Sequence, residues 1–194
     1  KGYKPLLIMN EGYADVSYEE TAELVEAQRQ EAIRRRMHLV ELPASLKHAT
    51  LAPNQKDSVI LTRSRTEILS LMSDFIGNFH SPTKKGLYVY GDFGVGKSFL
   101  LAALAHDLSE KYSVATTMIH YPSFVVNVKN AIQSGQVKAE IDTVKKADIL
   151  ILDDIGAEQH SPWVRDDVLQ VILQHRMQEN LPTFFTSNFS LSDL

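Results

Sequence analysis

The sequence has 194 residues, of which 44% are hydrophobic, and its formal net charge is −4 at neutral pH. That length and composition suit one soluble α/β domain, and the negative charge argues against a protein that attracts nucleic acid over its whole surface. The lack of cysteine excludes disulfides, thiol catalysis and cysteine-ligated zinc. No apolar run approaches the roughly 20 residues of a membrane span and no signal peptide is evident, so we expect a cytoplasmic protein without a membrane partner.

The first 45 residues are predicted to form a linker that contains a charged helix. An apolar run at residues 6–9 favours a strand followed by a turn. Ser17, with Glu20 three residues later, makes a capping box, and the acidic-to-basic order of the charges that follow suits the dipole of a helix. Pro43 is expected to end this helix. Its arginines at residues 34–36 are typical of a solvated connector, and the alternative is that they contact DNA or a partner.

From residue 46 onward, strand-like and helix-like patterns alternate. A polar stretch at residues 53–57 marks the start of this region, and residues 65–79 carry apolar side chains at helical spacing. Further helices are expected after Pro122, around residues 136–146, and after Ser161. The β-prone runs lie at residues 87–90, 114–120, 149–154 and 183–188. This alternation predicts a parallel sheet with helices on both faces, whose ligands bind at the carboxyl ends of the strands.

A glycine-rich stretch between the first of these strands and the next helix fits G-x-x-x-x-G-K-[ST], the phosphate-binding loop of nucleoside-triphosphatases. Backbone N–H groups can wrap a triphosphate only through turns that glycine takes without steric penalty. We expect Lys97 to meet the β- and γ-phosphates of ATP or ADP, and the hydroxyl of Ser98 to bind Mg²⁺. The predicted nucleotide-binding residues are Gly91, Asp92, Phe93, Gly94, Val95, Gly96, Lys97, Ser98 and Phe99.

Two later strands are predicted to complete the site. The continuous apolar run at residues 149–152 ends in Asp153 and Asp154, as expected for a buried strand that delivers carboxylates to its C-terminal edge. Asp153 is predicted to hold Mg²⁺ with Ser98, and Asp154 to orient the attacking water. The next strand ends at Asn188, a candidate sensor of the γ-phosphate, for which the alternative is an ordinary turn residue. The predicted catalytic residues are Lys97, Asp154 and Asn188.

Other enzyme classes find no support in the motifs. The seven histidines show no metal-ligand spacing and are expected to be ordinary surface or core residues. No G-x-S-x-G sequence is present. The segment at residues 145–148 lacks the leading Asn or Thr of a GTPase base-reading motif. A metallohydrolase, a serine hydrolase and a GTPase are therefore not predicted.

Three motifs together resemble the AAA+ ATPase domain of the bacterial DnaI/DnaC helicase loaders. They lie at residues 91–98, 151–158 and 186–188, and further likeness is found at residues 161–167 and 173–177. The resemblance extends from about residue 46 to residue 194. It implies an ATPase that helps to place the replicative DNA helicase on single-stranded DNA, with self-association through AAA+ contacts. Position by position, it implies the same roles for the phosphate-loop, acidic and sensor residues as those given above.

The resemblance also implies a DNA-facing surface and two departures from the family. The surface is the helix at residues 121–133, where Phe124 and Lys129 could bind a single strand, although a place in the core is the alternative for Phe124. Asp154 stands where many AAA+ enzymes have glutamate, so slow hydrolysis is expected. The resemblance further implies that the given residues stop before a C-terminal lid, where an arginine finger and a second sensor are expected, and that they do not include the family's N-terminal helicase-binding domain.

The sequence thus predicts a linker at residues 1–45 and an AAA+ ATP-binding core at residues 46–194. The leading functional prediction is an ATP-dependent helicase loader. One alternative is an IstB-type AAA+ transposition regulator, which shares this core. The other is a small phosphotransferase with the same loop, which would also need a substrate base and a basic lid.

Overall fold

The structure is a computed structural model that describes residues 2–51, 63–81, 85–157 and 162–194. The polar stretch at residues 53–57, part of the loop before the first predicted strand, and Ser161 lie outside the described residues. The chain forms two compact units, Lys1–Arg35 and Arg36–Leu194. Within the described ranges, no helix combines the length and apolar character needed to cross a membrane.

The first unit contains a β-hairpin followed by a helix. Strands β1 (Tyr3–Asn10) and β2 (Tyr13–Glu20) pair in antiparallel register, and a tight turn with positive φ at two successive residues joins them. Helix α1 (Ala22–Arg36) follows.

The predicted helix start at Ser17 is wrong, because Ser17 lies in β2 opposite Leu6. Two strands of eight residues pair along their whole length, and this ladder outweighs a single capping box. The helix begins after Thr21 instead, where the Thr21 hydroxyl accepts a hydrogen bond from the backbone N–H of Leu24 at 3.3 Å.

The second unit is built on a five-stranded parallel sheet with the order β3-β5-β6-β7-β4. The prediction of a parallel α/β architecture is therefore confirmed. The strands are β3 (Met37–Val40), β4 (Tyr88–Tyr90), β5 (Thr116–His120), β6 (Ile149–Ile155) and β7 (Thr183–Ser187).

Helices cover both faces of this sheet. They are α2 (Arg63–Gly77), α3 (Lys97–Tyr112), α4 (Tyr121–Ser134), α5 (Val137–Lys145) and α6 (Gln170–Gln178), with a π-helical segment (Val164–Leu169) leading into α6 and a 3₁₀ turn at Ala44–His48. Because side chains alternate along a strand, Leu150 and Leu152 of β6 pack with α4 on one face. On the other face, the ring of Phe184 in β7 lies 5.0 Å from that of Phe75 in α2.

Strand β3 was not predicted. The helix was expected to continue to Pro43, but α1 ends at Arg36 and the next four residues pair with β5. A strand this short shows too few alternations to be recognised in the sequence. Its pairing brings residues 37–40 into the same sheet as the phosphate-loop strand, a placement that the predicted division at residue 45 did not include. It also leaves Glu41 at the carboxyl edge of the sheet.

Candidate functional site

The phosphate loop connects β4 to α3, as the motif requires. Gly94 and Gly96 have φ angles of +78° and +93°, in the left-handed region that disfavours any residue with a Cβ atom. Helix α3 starts at Lys97, immediately after Gly96. The N–H groups of its first turn therefore open at the loop, where they favour a negatively charged ligand.

Lys97 is the cation of the site and is only 8% exposed. Its Nζ atom donates to the backbone carbonyls of Gly91 at 2.8 Å and Asp92 at 2.9 Å, and to Oδ1 of Asn188 at 2.9 Å. An ammonium group has three protons, so these three acceptors use all of them. Lys97 thus joins the phosphate loop to the residue that follows β7.

Asp153 is fixed by a threonine of the neighbouring strand. Its carboxylate is 4% exposed, and its Oδ1 atom accepts a hydrogen bond from the hydroxyl of Thr186 at 2.8 Å. The same hydroxyl accepts the backbone N–H of Asp154 at 2.8 Å. One buried hydroxyl therefore sets the positions of both acidic residues.

Asp154 has an unusual backbone conformation. Its φ angle is +62°, and the pairing of β6 with β7 shifts register between Leu152 and Ile155. A non-glycine residue in this region costs of order 1 to 3 kcal/mol and persists only where the surrounding structure holds it. Here Asn188 Nδ2 donates to Asp154 Oδ1 at 3.1 Å. The strained turn directs the carboxylate toward Asn188, which in turn contacts Lys97.

These groups surround a cavity of about 420 Å³ at the carboxyl edge of the sheet. The hydroxyl of Ser98 and the carboxylate of Asp153 are hard oxygen donors, and this donor set fits Mg²⁺. The predicted site residues that line the cavity are Phe93, Gly94, Gly96, Lys97, Ser98, Phe99, Asp153, Asp154 and Asn188. Gly91 and Asp92 contribute through their carbonyls to Lys97, whereas Val95 does not line the cavity and is half exposed.

Sequence reasoning missed two polar residues of the cavity wall, which are Glu41 and His120. Thr186 belongs to the predicted motif at residues 186–188, but no role was predicted for it. His120 was expected to be an ordinary histidine, but it ends β5 in register with Asp153. Its position as the last residue of a strand beside the acidic strand was the available signal. Glu41 gave no local signal, because only the unpredicted strand β3 brings it to this edge.

The predicted DNA-facing helix corresponds to α4. Phe124 is buried in the core together with residues of β6, so a role in stacking on DNA bases is wrong for this side chain. Lys129 is partly exposed, and Val126 on the same helix is 54% exposed. The core alternative stated for Phe124 is the one that the structure shows.

Taken together, the strand order, the phosphate loop and the acidic strand beside it define a P-loop nucleotide-binding protein of the AAA+ type. The model of the IstB-like ATP binding protein family matches residues 10–194, and the chain belongs to this family.

Individual relatives point to DNA replication. The chain is 39% identical over 198 aligned residues to the replicative helicase loader DnaI of Bacillus subtilis strain 168, and it spans 61% of the length of that protein. A crystal structure of a candidate primosome component from Streptococcus pyogenes serotype M3 is 54% identical, with a TM-score of 0.74 over 85% of this chain and 82% of that one. A crystal structure of DnaI is 37% identical, with a TM-score of 0.73 over 81% of each chain. The resemblance to DnaI/DnaC helicase loaders is confirmed.

Proposed function

We propose that this chain binds ATP with Mg²⁺, hydrolyses it slowly, and uses the bound nucleotide to control the loading of a replicative DNA helicase onto single-stranded DNA. The observation that carries the proposal is the path from Lys97 through Asn188 to Asp154. A ligand that draws Lys97 away from Asn188 frees the amide oxygen of the residue that also contacts Asp154. The helicase loader that is 39% identical supports the choice of partner.

Nucleotide binding follows from the hydrogen-bond donors that surround the phosphate loop. The N–H groups at the start of α3 provide donors for phosphate oxygens. Lys97 is already desolvated, and phosphate oxygens can replace its present acceptors at little further cost of dehydration. Lys97 then leaves the carbonyls of Gly91 and Asp92 and the side chain of Asn188, whose amide oxygen is freed.

Ser98 and Asp153 are the residues that would hold Mg²⁺, and when bound the ion offsets the negative charge of the β- and γ-phosphates. Thr186 keeps the Asp153 carboxylate in place by its 2.8 Å hydrogen bond. A carboxylate that needs no reorientation on metal binding loses less entropy.

Hydrolysis requires a water molecule placed beside the γ-phosphate. We assign the orientation of this water to Asp154 and Asn188, which line the same cavity. Asn188 Nδ2 lies 3.1 Å from Asp154 Oδ1. Asp154 is one methylene shorter than the glutamate of many AAA+ enzymes, and one of its oxygens is bound to Asn188. Slow turnover suits a switch that reports which nucleotide is bound.

The partners in this proposal are the replicative helicase, single-stranded DNA and further copies of the chain, all in the cytoplasm. A transposition regulator is the second candidate, because the family to which the chain belongs carries the IstB description. The relatives in DNA replication favour the loader over that candidate. A phosphotransferase has no support among them.

The test is a pull-down of the replicative helicase by the full-length gene product, in ATP, in ADP and without nucleotide. Capture that depends on the nucleotide, and that Lys97→Met makes independent of it, supports the proposal. Capture of a transposase in place of the helicase favours the second candidate. Failure to capture the helicase in any state contradicts the loader function, and lack of ATP hydrolysis by the helicase complex contradicts the ATPase function.

A further inference from the structure

The wall of the cavity carries a second polar group of residues that the proposed ATPase mechanism has not used. Glu41 follows β3, His120 ends β5, and Ser123 lies in the first turn of α4. Both Glu41 and His120 line the cavity, together with Asp153 and Asp154. The three residues come from separate elements and meet at one edge of the sheet.

The hydrogen bonds of Glu41 define the direction in which protons are donated along the series His120, Ser123 and Glu41. Asn127 Nδ2 donates to Glu41 Oε1 at 2.8 Å. Hydrogen bonds from Asn127 and Ser123 hold the pKa of Glu41 below its usual range, so this side chain is an ionised carboxylate at neutral pH. A carboxylate only accepts hydrogen bonds, and the hydroxyl proton of Ser123 is therefore the one donated to Glu41.

That direction fixes the tautomer of His120. Nδ1 of His120 and Oγ of Ser123 are 2.7 Å apart. Because the proton of Ser123 is given to Glu41, Oγ can only accept from the ring, so Nδ1 carries the hydrogen. In a neutral imidazole, Nε2 is then an acceptor with a free lone pair. His120 lines the cavity, and Nε2 is the ring nitrogen that Ser123 does not engage.

We propose that Glu41, through Ser123, holds His120 in the Nδ1–H tautomer, and that Nε2 of His120 accepts a hydrogen bond from the water that attacks the γ-phosphate of ATP. This inference rests on the proposed ATPase function. His120 is thereby a catalytic residue and Glu41 a positioning residue. Nε2 adds an acceptor beside Asp154, one of whose oxygens is bound to Asn188.

The step needs no proton on His120. The oxygen of water forms a bond to the γ-phosphorus, and the bond from that phosphorus to the β,γ-bridging oxygen breaks with its electron pair left on ADP. Both hydrogens of the water stay with the departing phosphate. His120 only holds the water in line, which lowers the barrier without a change in its own charge.

The tautomer can be measured without ATP. In the nucleotide-free protein labelled with ¹⁵N-histidine, NMR distinguishes a protonated from a bare ring nitrogen, and the spectrum of His120→Gln identifies the His120 signals. We expect a protonated Nδ1 in the wild type. In Glu41→Gln the amide can donate to Ser123, which reverses the chain and moves the proton to Nε2. A wild-type Nε2–H tautomer, or no change in Glu41→Gln, would overturn the inference.

Two variants of His120 then test the role in catalysis. Glutamine places an amide where Nε2 lies, whereas asparagine reaches only the place of Nδ1. We expect His120→Asn to lose about tenfold or more in kcat and His120→Gln to stay within about threefold, with ADP affinity changed by less than about twofold in both.

The outcomes separate the inference from the function on which it rests. Equal losses of kcat in His120→Asn and His120→Gln, in a wild type that hydrolyses ATP, overturn the role of His120 alone. A wild type that binds ATP but does not hydrolyse it, even with its helicase, overturns the ATPase proposal together with that role. In that case the NMR result still decides whether Glu41 sets the tautomer.

Discussion

Two buried cations lie at opposite edges of the same sheet, and their hydrogen-bond acceptors differ. Lys97, at the carboxyl edge, has two acceptors in the phosphate loop and a third in Asn188. Arg176 of α6 is 1% exposed and lies at the amino edge, where it meets the starts of β6 and β7. Its guanidinium donates to Thr183 Oγ1 at 2.8 Å and to the carbonyls of Val144, Lys145, Ala147 and Pro182 at 2.6 to 3.4 Å.

The difference teaches that burial of a cation does not by itself mark a functional site. Burial lowers the pKa of Arg176 to about 10, which leaves it charged at neutral pH. Its acceptors are four backbone carbonyls and one threonine hydroxyl, and they join α5, β6 and β7 around a side chain that is buried from solvent. Lys97 and its acceptor Asn188 line a cavity, so phosphate oxygens can reach Lys97 and replace its acceptors. We infer that Arg176 stabilises the fold, and we propose that Lys97 binds the phosphates of a nucleotide.

The largest effect is expected from Arg176→Met. It keeps much of the side-chain volume but leaves several buried carbonyls without donors, so the free energy of unfolding should fall by about 3 to 5 kcal/mol. Urea denaturation measures this loss, and Arg176→Lys, which keeps the charge with fewer donors, should lie between wild type and Met. A loss below about 1 kcal/mol in Arg176→Met would show that the two cations do not differ in this way.

Lys97→Met should show the opposite pattern. The affinity for ATP should fall by about 2 to 3 kcal/mol, or roughly 30-fold to 150-fold, because charge-assisted hydrogen bonds to phosphate are lost. The free energy of unfolding should change by less than about 1 kcal/mol, since the three acceptors remain close to solvent. Calorimetric titration and urea denaturation of the same protein give both numbers. Unchanged ATP affinity would refute the assignment of Lys97.

Asp154→Asn tests the acid beside the cavity. Asparagine tolerates the left-handed backbone, so the fold should be retained, while kcat for ATP should fall by about tenfold to a hundredfold through loss of the carboxylate. ADP affinity should not change. Asp154→Gly is the matched variant, because glycine adopts the left-handed backbone without strain and should also retain the fold. Full activity in Asp154→Asn would show that residues other than Asp154 orient the attacking water.

The smallest effect is expected from Thr186→Val compared with Thr186→Ser. Valine removes the hydroxyl that serves Asp153 and Asp154, and should lower the free energy of unfolding by about 1 to 3 kcal/mol and weaken ATP binding only in the presence of Mg²⁺. Serine keeps the hydroxyl and should resemble the wild type more closely. If valine weakens ATP binding equally with and without Mg²⁺, Thr186 does not act through Asp153.

The part of the molecule that could be predicted from the sequence is the part encoded by neighbouring residues. The phosphate loop is a continuous motif, and β6 is a continuous apolar run that ends in carboxylates, so local patterns were sufficient for both. Strand β3 is four residues long, and only its pairing with β5 makes it a strand. The predicted helix start at Ser17 is wrong because β2 pairs with β1 along its whole length, and a capping-box pattern contains no information about that pairing.

The same distinction explains the side chains that sequence reasoning missed. Arg176 is surrounded by carbonyls up to 32 residues away in the chain. Glu41 reaches the cavity through β3 and is held by Asn127, 86 residues further on. No local pattern contains either neighbourhood. The meeting of Lys97, Asp153 and Asn188 around one cavity was predictable because family motifs record such distant neighbours in short stretches of sequence.

The most direct test of this account is NMR of two side-chain groups during titration with Mg²⁺ and ADP, and then with Mg²⁺ and ATP. One is the side-chain amide of Asn188 and the other is the Nε–H of Arg176. We expect the signals of the Asn188 amide to shift as nucleotide binds, because Lys97 leaves Asn188 for the phosphates. The Nε–H signal of Arg176 should not shift. A shift at Arg176 with none at Asn188 would contradict the claim that the exchangeable cation is Lys97.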